Sequence, residues 1–193
     1  IVGSVSPNSY SIKLNKQLGR NINGIKLQRY IFIHNHEFRK LIIKSKQNLF
    51  NKFKTIKIKK INLDFKSKWI KHIPIEYNKL WKKFSSRFDL CTNKDYKFIK
   101  KRYLDNPFQN YDILKVTDSN NKLVGLSIIR FQTFKKIKFA RIIEFISLNK
   151  YDKFVWNEII YNCQISGATI SDFFVIGKNQ NQNLTDLGFK KMK

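Results

Sequence analysis

The sequence predicts a mixed α/β (α+β) fold in which helices flank a central, mostly antiparallel sheet. Three consecutive segments rich in Ile, Val, Leu and Phe carry this prediction: Tyr111–Thr117, Lys122–Gln132 and Phe139–Leu148. Short polar turns join them, and short connections favour antiparallel neighbours in a sheet. Helical patterns lie on both sides of these segments along the chain. From Thr55 onward we expect strand, helix, helix, three strands, helix, strand, short helix, strand.

Two helices are predicted before the three central strands. Pro74 lies where the first turn of a helix tolerates proline, and apolar side chains follow at helical spacing. These apolar positions are Leu80, Trp81, Phe84 and Phe88. The second helix has a capping segment at Thr92–Asp95, and the pair Asn106-Pro107 ends it. Its expected buried side consists of Phe98, Ile99 and Tyr103.

The outer strands and the later helices are predicted from weaker patterns. The alternating segment Thr55–Phe65 is expected to be the first strand. After the central strands we expect a helix over Tyr151–Gln164, a strand over Ala168–Ile176, a short helix over Asn179–Leu187 and a strand over Phe189–Met192. The expected buried side chains of the sheet include Ile113, Val116, Val124, Leu126, Ile128, Ile142 and Phe145. Their register stays open, because a slip of one residue moves every side chain to the other face.

Similar short turns near the two ends of the chain suggest an internal repeat. A predicted helix ends at Leu18-Gly19 before a predicted strand at Ile25–Ile33, and Leu187-Gly188 also stands between a helix and a strand. The chain begins with Ile1 rather than Met, so we expect a fragment of a tandem protein. The expected division is a C-terminal remnant of a preceding copy at 1–33, a basic connector at 34–54, and one domain at 55–193 whose C-terminal end is a candidate for truncation.

The chain is strongly basic, with 39 Lys and Arg against 13 Asp and Glu and a formal net charge of +26. A charge of this size is typical of proteins that bind nucleic acids or anionic membranes. Codon usage offers a second explanation. Lys, Asn, Ile and Phe share A/T-rich codons and make up half of the chain, and Lys outnumbers Arg by 32 to 7. Both explanations stay open at this point.

Metal, hydrolase and membrane functions find no support in the sequence. Cys91 and Cys163 lack the paired spacing of zinc sites, and His34, His36 and His72 are not spaced as metal ligands. There is no Gly-x-Ser-x-Gly nucleophile elbow. No apolar run approaches the ~18–20 residues of a membrane span, and no secretory signal is present. We therefore expect a cytoplasmic protein without a metal site or a membrane span.

Three segments of the sequence occur in a distinctive order. Lys100–Pro107 ends the second predicted helix and is followed by Tyr111-Asp112-Ile113; then come Asn121–Leu126 and Arg141–Ile146. The chain thereby resembles the GNAT superfamily of acyl-CoA N-acyltransferases, and in particular GNAT-like proteins linked to surface-polysaccharide pathways. The resemblance implies a GNAT-like fold, acetyl-CoA or another acyl-CoA as donor, and a small amine or amino sugar as acceptor. It also implies that the preceding copy of the tandem is itself GNAT-like.

The resemblance implies a donor site at the end of the fourth strand and the start of the next helix. The residues expected to contact the donor there are Ile146, Ser147, Leu148, Lys150 and Lys153. GNAT enzymes usually hold the pyrophosphate on a loop of R/Q-x-x-G-x-G/A type, because glycine lets backbone N–H groups approach a phosphate. The corresponding segment here, residues 147–154, contains no glycine, and it contains Asp152. The donor-binding loop is therefore degenerate.

Glu144 is the candidate catalytic residue, since the resemblance places an acid–base carboxylate on its strand. Such a carboxylate would remove a proton from the acceptor amine before the amine attacks the thioester. The alternative is a carboxylate paired with Arg141 or a nearby lysine. Asp172 on the next strand is a second, weaker candidate, and Tyr161 is expected to pack in the core.

Two further functions stay open beside the acyltransferase. The chain could be a non-catalytic half of a tandem protein, in view of its degenerate loop. It could also be a basic nucleic-acid-binding module, because Lys44–Lys71 interleaves lysines with aromatic side chains that stack on bases. These aromatic side chains are Phe50, Phe53, Phe65 and Trp69.

Overall fold

The computed structural model describes residues 28–35, 38, 64–89, 91–175 and 181–192. The strands are β1 (Gln28–Ile33), β2 (Lys66–Ile70), β3 (Asp112–Thr117), β4 (Leu123–Phe134), β5 (Ile137–Ser147), β6 (Ile170–Val175) and β7 (Lys190–Lys191). The helices are α1 (Tyr77–Ser85), α2 (Tyr96–Ile99), α3 (Asp152–Ile165) and α4 (Asn181–Asp186). A π-helical turn, Lys100–Leu104, continues α2, and a 3-10 turn, Asn149–Tyr151, precedes α3.

The described strands form one seven-stranded sheet in the order β2-β3-β4-β5-β6-β1-β7. Every neighbouring pair is antiparallel except β5 and β6, which are parallel. The helix α3 connects these two parallel strands, as a parallel pair requires. The predicted fold class, a mixed and mostly antiparallel sheet with flanking helices, is confirmed.

The core lies between the sheet and its helices, and α3 approaches the sheet very closely. The Trp156 ring of α3 stacks on Phe145 of β5 with centroids 4.2 Å apart. A Cβ atom added to Gly125 of β4 would lie 2.5 Å from a methyl carbon of Val155, so only glycine permits this approach. All the sheet side chains that the sequence predicts to be buried are buried: Ile113, Val116, Val124, Leu126, Ile128, Ile142 and Phe145.

The strand β1 lies inside this sheet, between β6 and β7. Gln28–Ile33 pairs along its length with Val175–Ile170, and Tyr30 and Ile31 also pair with β7. The described part of the predicted strand Ile25–Ile33 is thus a strand from Gln28 to Ile33, and it completes the sheet of the later residues, whereas residues 25–27 lie outside the described part. Its assignment to a preceding copy stays a prediction, and most of the predicted connector lies outside the described residues.

Two predicted elements differ from the structure. The first described strand of the 55–193 region is Lys66–Ile70, whereas Asp64 lies in a turn and residues 55–63 lie outside the described part. The predicted apolar stripe of α1 is buried at Leu80, Trp81 and Phe84, but α1 ends at Ser85 and Phe88 is 40% exposed. The predicted strand at 55–63 therefore stays a prediction, and α1 ends before the last residue of its predicted apolar stripe.

The C-terminal turn follows the prediction. Gly188 adopts a φ of +93° between α4 and β7, a backbone conformation that favours glycine. Its counterpart Leu18-Gly19 lies outside the described residues. Among the described helices, none combines the length and the apolar character needed to cross a membrane.

Candidate functional site

The parallel strands β5 and β6 part in the middle of the sheet. Their pairing runs from Phe139↔Ile170 to Ile142↔Phe173 and then stops. At the same place β5 carries a bulge, because Glu144 pairs with Ile128 of β4 while Ile142 pairs with Ile129. Beyond the bulge β5 continues along β4 as far as Ser147. The result is a cleft, named here the β5–β6 cleft, where one edge of Ile143–Ser147 has no partner strand among the described residues.

Backbone polar groups face this cleft. The N–H of Leu148 donates to the carbonyl of Val124 on β4, at 3.0 Å. Backbone groups alternate sides along a strand, so those of Phe145 and Ser147 point away from β4. In agreement, the carbonyl oxygen of Ser147 lies 3.4 Å from Nη1 of Arg87. The cleft edge of β5 therefore offers hydrogen-bonding groups to an extended ligand.

Glu144 lies one residue beyond the bulge and is only 7% exposed. Its Oε2 accepts a hydrogen bond from Nζ of Lys94 at 2.6 Å, and its Oε1 accepts one from the Tyr103 hydroxyl at 2.5 Å. The pKa of Tyr103 is raised, first by burial and then by the negative charge of Glu144, so this hydroxyl stays protonated. Arg141, the partner named in the sequence, does not contact Glu144.

The protein holds Lys94 in place through its backbone. The Tyr77 hydroxyl of α1 donates to the Lys94 carbonyl at 2.7 Å. The next residue, Asp95, caps α2 by accepting the N–H of Phe98 at 2.9 Å. Burial raises the pKa of Tyr77, and the charges of Glu144 and Asp95 raise it further. Lys94, Tyr103 and Glu144 thus form one cluster from three elements, which we name the Glu144 cluster.

The expected donor residues differ in their exposure. Ile146 and Ser147 are buried in β5, Leu148 is half-buried, and Lys150 and Lys153 are exposed at the start of α3. Nζ of Lys150 lies 4.7 Å from the centroid of the Tyr151 ring. The two lysines therefore flank the helix N-terminus that closes one end of the cleft, where positive charge and free N–H groups favour an anion.

Asp152 is held by an arginine from α1's C-terminal side. Nη1 of Arg87 lies 3.0 Å from one carboxylate oxygen and Nη2 lies 2.5 Å from the other, a bidentate pair. The Ser147 hydroxyl also donates to Asp152. The Arg87 guanidinium lies over the rings of Phe84 and Phe88. The Asp152 carboxylate is therefore paired with a cation and a hydroxyl group.

Asp172, the second carboxylate candidate, lies outside the cleft. It is 1% exposed, and its carboxylate pairs with Arg29 at 2.8 Å and with Arg141 at 3.0 Å. These contacts join β1, β5 and β6 on one face of the sheet. Asp172 is therefore a paired strand carboxylate. Tyr161 packs against the core, as predicted.

The cysteines and the described histidines form no metal site. Cys91 is exposed, Cys163 is buried, and burial raises the pKa of the Cys163 thiol to about 12. Nε2 of His34 lies 2.7 Å from the Ser171 hydroxyl, and burial lowers the pKa of His34 to about 4. Within the described ranges, no three His, Cys, Asp or Glu side chains are grouped as metal ligands.

An open cavity of about 770 Å³ lies beside the π-helical turn. Its lining combines aromatic rings and charged groups: Phe98, Phe108, Tyr111, Lys101, Arg102 and Asp105. The Tyr111 ring meets the Tyr103 ring edge-on, with centroids 5.0 Å apart. Tyr103 therefore connects Tyr111, which lines this cavity, with Glu144. π-helical turns occur frequently at functional sites.

The sequence missed Arg87, Lys94 and Tyr103 as members of the site. Tyr103 was assigned to the core, and Lys94 to a capping segment. Their partners lie 65, 50 and 41 residues away along the chain, so only the fold brings them together. The one available signal was the position of Arg87 next to the aromatic stripe of α1.

Comparisons with known proteins find similarity in structure only. No protein-family model matches the sequence, and a search of curated proteins finds no match. Saccharomyces cerevisiae N-myristoyltransferase with bound myristoyl-CoA has a TM-score of 0.59 and 12% identity over 86% of this chain and 45% of that chain. An Enterococcus faecalis V583 protein described as a probable N-acyltransferase has a TM-score of 0.57 and 11% identity over 96% of this chain and 41% of its own.

A functionally unknown conserved protein from Staphylococcus epidermidis ATCC 12228 has a TM-score of 0.50 and 12% identity over 98% of this chain and 65% of that one. This chain thus spans less than two thirds of each of these three proteins. What they share with it is the arrangement of helices around a mostly antiparallel sheet. The chain has a GNAT-like fold.

Proposed function

We propose that this chain transfers an acyl group from acyl-CoA to the amine of a small molecule, such as an amino sugar. One observation carries the proposal. The strand β5 leaves its parallel neighbour β6 beyond Ile142, and a buried carboxylate, Glu144, stands on the departing part. This combination supplies an edge for an extended donor and a base for the acceptor amine.

The donor in this proposal is acetyl-CoA or a longer acyl-CoA. The similar yeast N-myristoyltransferase was solved with myristoyl-CoA bound, which supports a thioester of coenzyme A here. The pantetheine arm would lie along the cleft edge of Phe145–Ser147, with its amides paired to the backbone as an added strand pairs to a sheet edge. The acyl carbonyl would lie near Ile146–Leu148.

The phosphates of the donor would lie at the start of α3. Lys150 and Lys153 are exposed there, and the helix N-terminus adds its own positive potential. Asp152 does not oppose this arrangement strongly, because Arg87 forms a bidentate pair with its carboxylate. Lysine charge and backbone N–H groups would thus replace the missing glycine loop.

Glu144 would act as the general base. Its Oε2 already binds one alkylammonium group, that of Lys94, at 2.6 Å. An acceptor ammonium would meet the same oxygen, lose a proton to it, and attack the thioester carbonyl as a neutral amine. Tyr103 orients the carboxylate from its other side.

The acceptor would enter from the cavity beside the π-helical turn. The aromatic rings of Phe98, Phe108 and Tyr111 suit the apolar face of a sugar, and Asp105 offers an acceptor for its hydroxyl groups. From there the amine must pass Tyr103 to reach Glu144. A small acceptor is therefore more compatible with this route than a folded protein.

A thiol-release assay tests this function. The chain is incubated with acetyl-CoA and a panel of primary amines that includes amino sugars, and free CoA thiol is measured. We expect amine-dependent release that Glu144→Gln lowers by about 10²–10⁴-fold. Asp112→Asn, which changes an exposed carboxylate of β3, is the matched control. Equal rates in the Glu144→Gln variant and the unchanged chain would contradict the role of Glu144.

A non-catalytic half of a tandem protein is the second candidate. Two observations favour it: Lys94 occupies the carboxylate of Glu144, and no glycine loop is present at the start of α3. In that case the chain would support a preceding GNAT-like domain. Amine-independent, near-zero thiol release together with absent donor binding would favour this candidate. A cytoplasmic location stays a prediction under both.

A nucleic-acid-binding module is not favoured. Of the aromatic side chains that suggested base stacking, Phe65 is 6% exposed and stacks on Phe154 in the core. Trp69 packs edge-on against Phe131. Phe50 and Phe53 lie outside the described residues. The described aromatic side chains of this segment therefore contribute to packing.

A further inference from the structure

We propose that Lys94 is a self-acylation site, whose Nζ takes the acyl group from a thioester bound in the β5–β6 cleft. This inference rests on the proposed function, because it needs the acyl-CoA donor. It goes further by naming a primary amine of the chain itself as an acceptor.

The contact between Lys94 and Glu144 is that of a nucleophile with its base. The 2.6 Å distance from Nζ to Oε2 allows direct proton transfer. The Lys94 side chain is 30% exposed, whereas the Glu144 side chain is 9% exposed. The Lys94 side chain is therefore partly open to solvent beside a buried carboxylate, and this opening is what the proposal requires for a thioester carbonyl to reach Nζ.

The position of Lys94 is fixed before any ligand arrives. Its carbonyl is held by the Tyr77 hydroxyl, and its neighbour Asp95 caps α2. The Tyr103 hydroxyl fixes the opposite oxygen of Glu144. Such preorganisation is what raises the effective concentration of a nucleophile near its target.

Other described lysines lack this environment. Lys100 also forms an ion pair, but its partner Asp105 is half exposed. Nζ of Lys138 donates to a backbone carbonyl, that of Ser166. Lys97, three residues from Lys94 and on the adjacent helix, is exposed. Lys94 is thus the described lysine whose ammonium group meets a buried carboxylate.

The reaction balances without a further reactant. Glu144 accepts one proton from the Lys94 ammonium, and the neutral nitrogen forms a C–N bond with the thioester carbonyl carbon. The C–S bond breaks, and the departing sulfur takes a second proton from the nitrogen. The products are the Lys94 amide, free coenzyme A thiol, and one proton that Glu144 returns to solvent. The amide carries no charge, so Glu144 is then open to an external ammonium group.

Peptide mass spectrometry of the full chain after incubation with acetyl-CoA tests the proposal. Chemical acetylation follows exposure, so it would label Lys97 at least as fast as Lys94. We expect the opposite order, with Lys94 acetylated about tenfold faster or more, and Glu144→Gln slowing Lys94 by a similar factor. Heat-unfolded chain treated in the same way should lose the preference. Far-UV circular dichroism verifies that the Glu144→Gln variant is folded.

Lys94→Arg keeps the charge but removes the nucleophile, so total incorporation should fall from about one acetyl group per chain to near zero. Calorimetric titration of this variant with acetyl-CoA separates the two proposals. Donor binding without preferential labelling of Lys94 in the unchanged chain would overturn the self-acylation alone. Absence of donor binding would overturn both the self-acylation and the proposed function.

Discussion

At the scale of single residues, the Glu144 carboxylate has two unlike partners. Lys94 supplies a charge from the more exposed side, and Tyr103 supplies a hydroxyl from the buried side. A buried carboxylate needs such partners, because water no longer solvates it. The same partners hold the Glu144 carboxylate in one place, where an amine can deliver a proton to it.

Removing the cation should therefore cost stability. Lys94→Met leaves the Glu144 carboxylate without its ion pair, and we expect a loss of about 1–3 kcal/mol in the free energy of unfolding. The double variant Lys94→Met with Glu144→Gln should recover most of this loss, because no buried charge remains. Urea unfolding of the unchanged chain, the two single variants Lys94→Met and Glu144→Gln, and the double variant measures the coupling. Equal stability of Lys94→Met and the unchanged chain would show that the pair contributes nothing.

His34 should give the protein a pH-dependent stability. Burial lowers its pKa to about 4 in the folded chain, whereas an unfolded histidine has a pKa of about 6.5. Between these values the unfolded chain binds more protons than the folded one. The contribution of His34 to stability is therefore complete above pH ~6.5 and is lost as pH falls toward 4.

His34 can change the free energy of unfolding by at most about 1.4 kcal/mol per pH unit. His34→Gln keeps a polar group near the Ser171 hydroxyl but does not titrate. Urea midpoints measured from pH 7 to pH 4 should fall more steeply in the unchanged chain than in this variant. If the urea midpoints of both proteins fall equally with pH, a group other than His34 takes up the proton.

At the scale of elements, the site depends on how strands and helices meet. The bulge in β5 turns Glu144 toward α2, and the parting of β5 from β6 opens the cleft. The close approach of β4 and α3 fixes the helix whose N-terminus ends the cleft. Gly125 makes this approach possible, since a Cβ there would meet Val155 at 2.5 Å.

Gly125→Ala should therefore destabilise the fold by about 1–3 kcal/mol, because α3 must shift away from β4. Val155→Ala in the same chain removes the methyl groups that clash. We expect the double variant to be more stable than the sum of the two single changes predicts, as measured by urea unfolding. Simple additivity would mean that the two residues are not in contact.

The sequence predicts the centre of the sheet well and its edge poorly. The strands β3, β4 and β5 are apolar and joined by short connections, so their sequence pattern clearly indicates neighbouring antiparallel strands. The edge strand β2, KSKWI, is short and largely polar, while the preceding Thr55–Phe65 alternates more clearly. Tertiary pairing with β3 decides the position of β2, and a local pattern contains no information about that partner.

The candidate site residues likewise include some that the sequence predicts and some that it does not. Glu144 and the segment Ile146–Leu148 were predicted because the phrase Arg141–Ile146 marks their strand. Lys94 and Arg87 were not predicted, because their roles arise from contacts across 50 and 65 residues of chain. Apart from the position of Arg87 next to the aromatic stripe of α1, nothing in their local sequence distinguishes them from the other basic residues.

At the scale of the whole molecule, charge and topology both bear on function. The chain has a formal net charge of +26. Of the four buried carboxylates among the described residues, Glu144, Asp152 and Asp172 are held by Lys or Arg, whereas Glu158 accepts a hydrogen bond from the Ser67 hydroxyl. The remaining basic groups therefore give the surface a positive potential. Such a surface attracts polyanions, including the phosphates of coenzyme A. Codon usage explains the same composition without a function.

The strand β1 contributes to the stability of the whole sheet. Phe32 is 4% exposed, and its ring lies 5.5 Å from that of Phe189 near β7. Phe32→Ala should lower the free energy of unfolding by about 3–5 kcal/mol, as expected for a core phenylalanine. Thermal or urea unfolding followed by circular dichroism measures it. An unchanged main transition would indicate that β1 behaves as a separate unit.

The central claim is that the β5–β6 cleft binds acyl-CoA, and a calorimetric titration of the full chain with acetyl-CoA tests it most directly. We predict saturable binding that weakens about tenfold or more when Lys150 and Lys153 are changed to Glu, because phosphates lose two cations and meet two anions. The matched control changes Lys135 and Lys136 to Glu; these exposed lysines lie in the β4–β5 turn, at the opposite end of β5 from Ser147, so the affinity should stay within about threefold. Absence of binding, or binding that responds equally to both pairs of substitutions, would contradict the account.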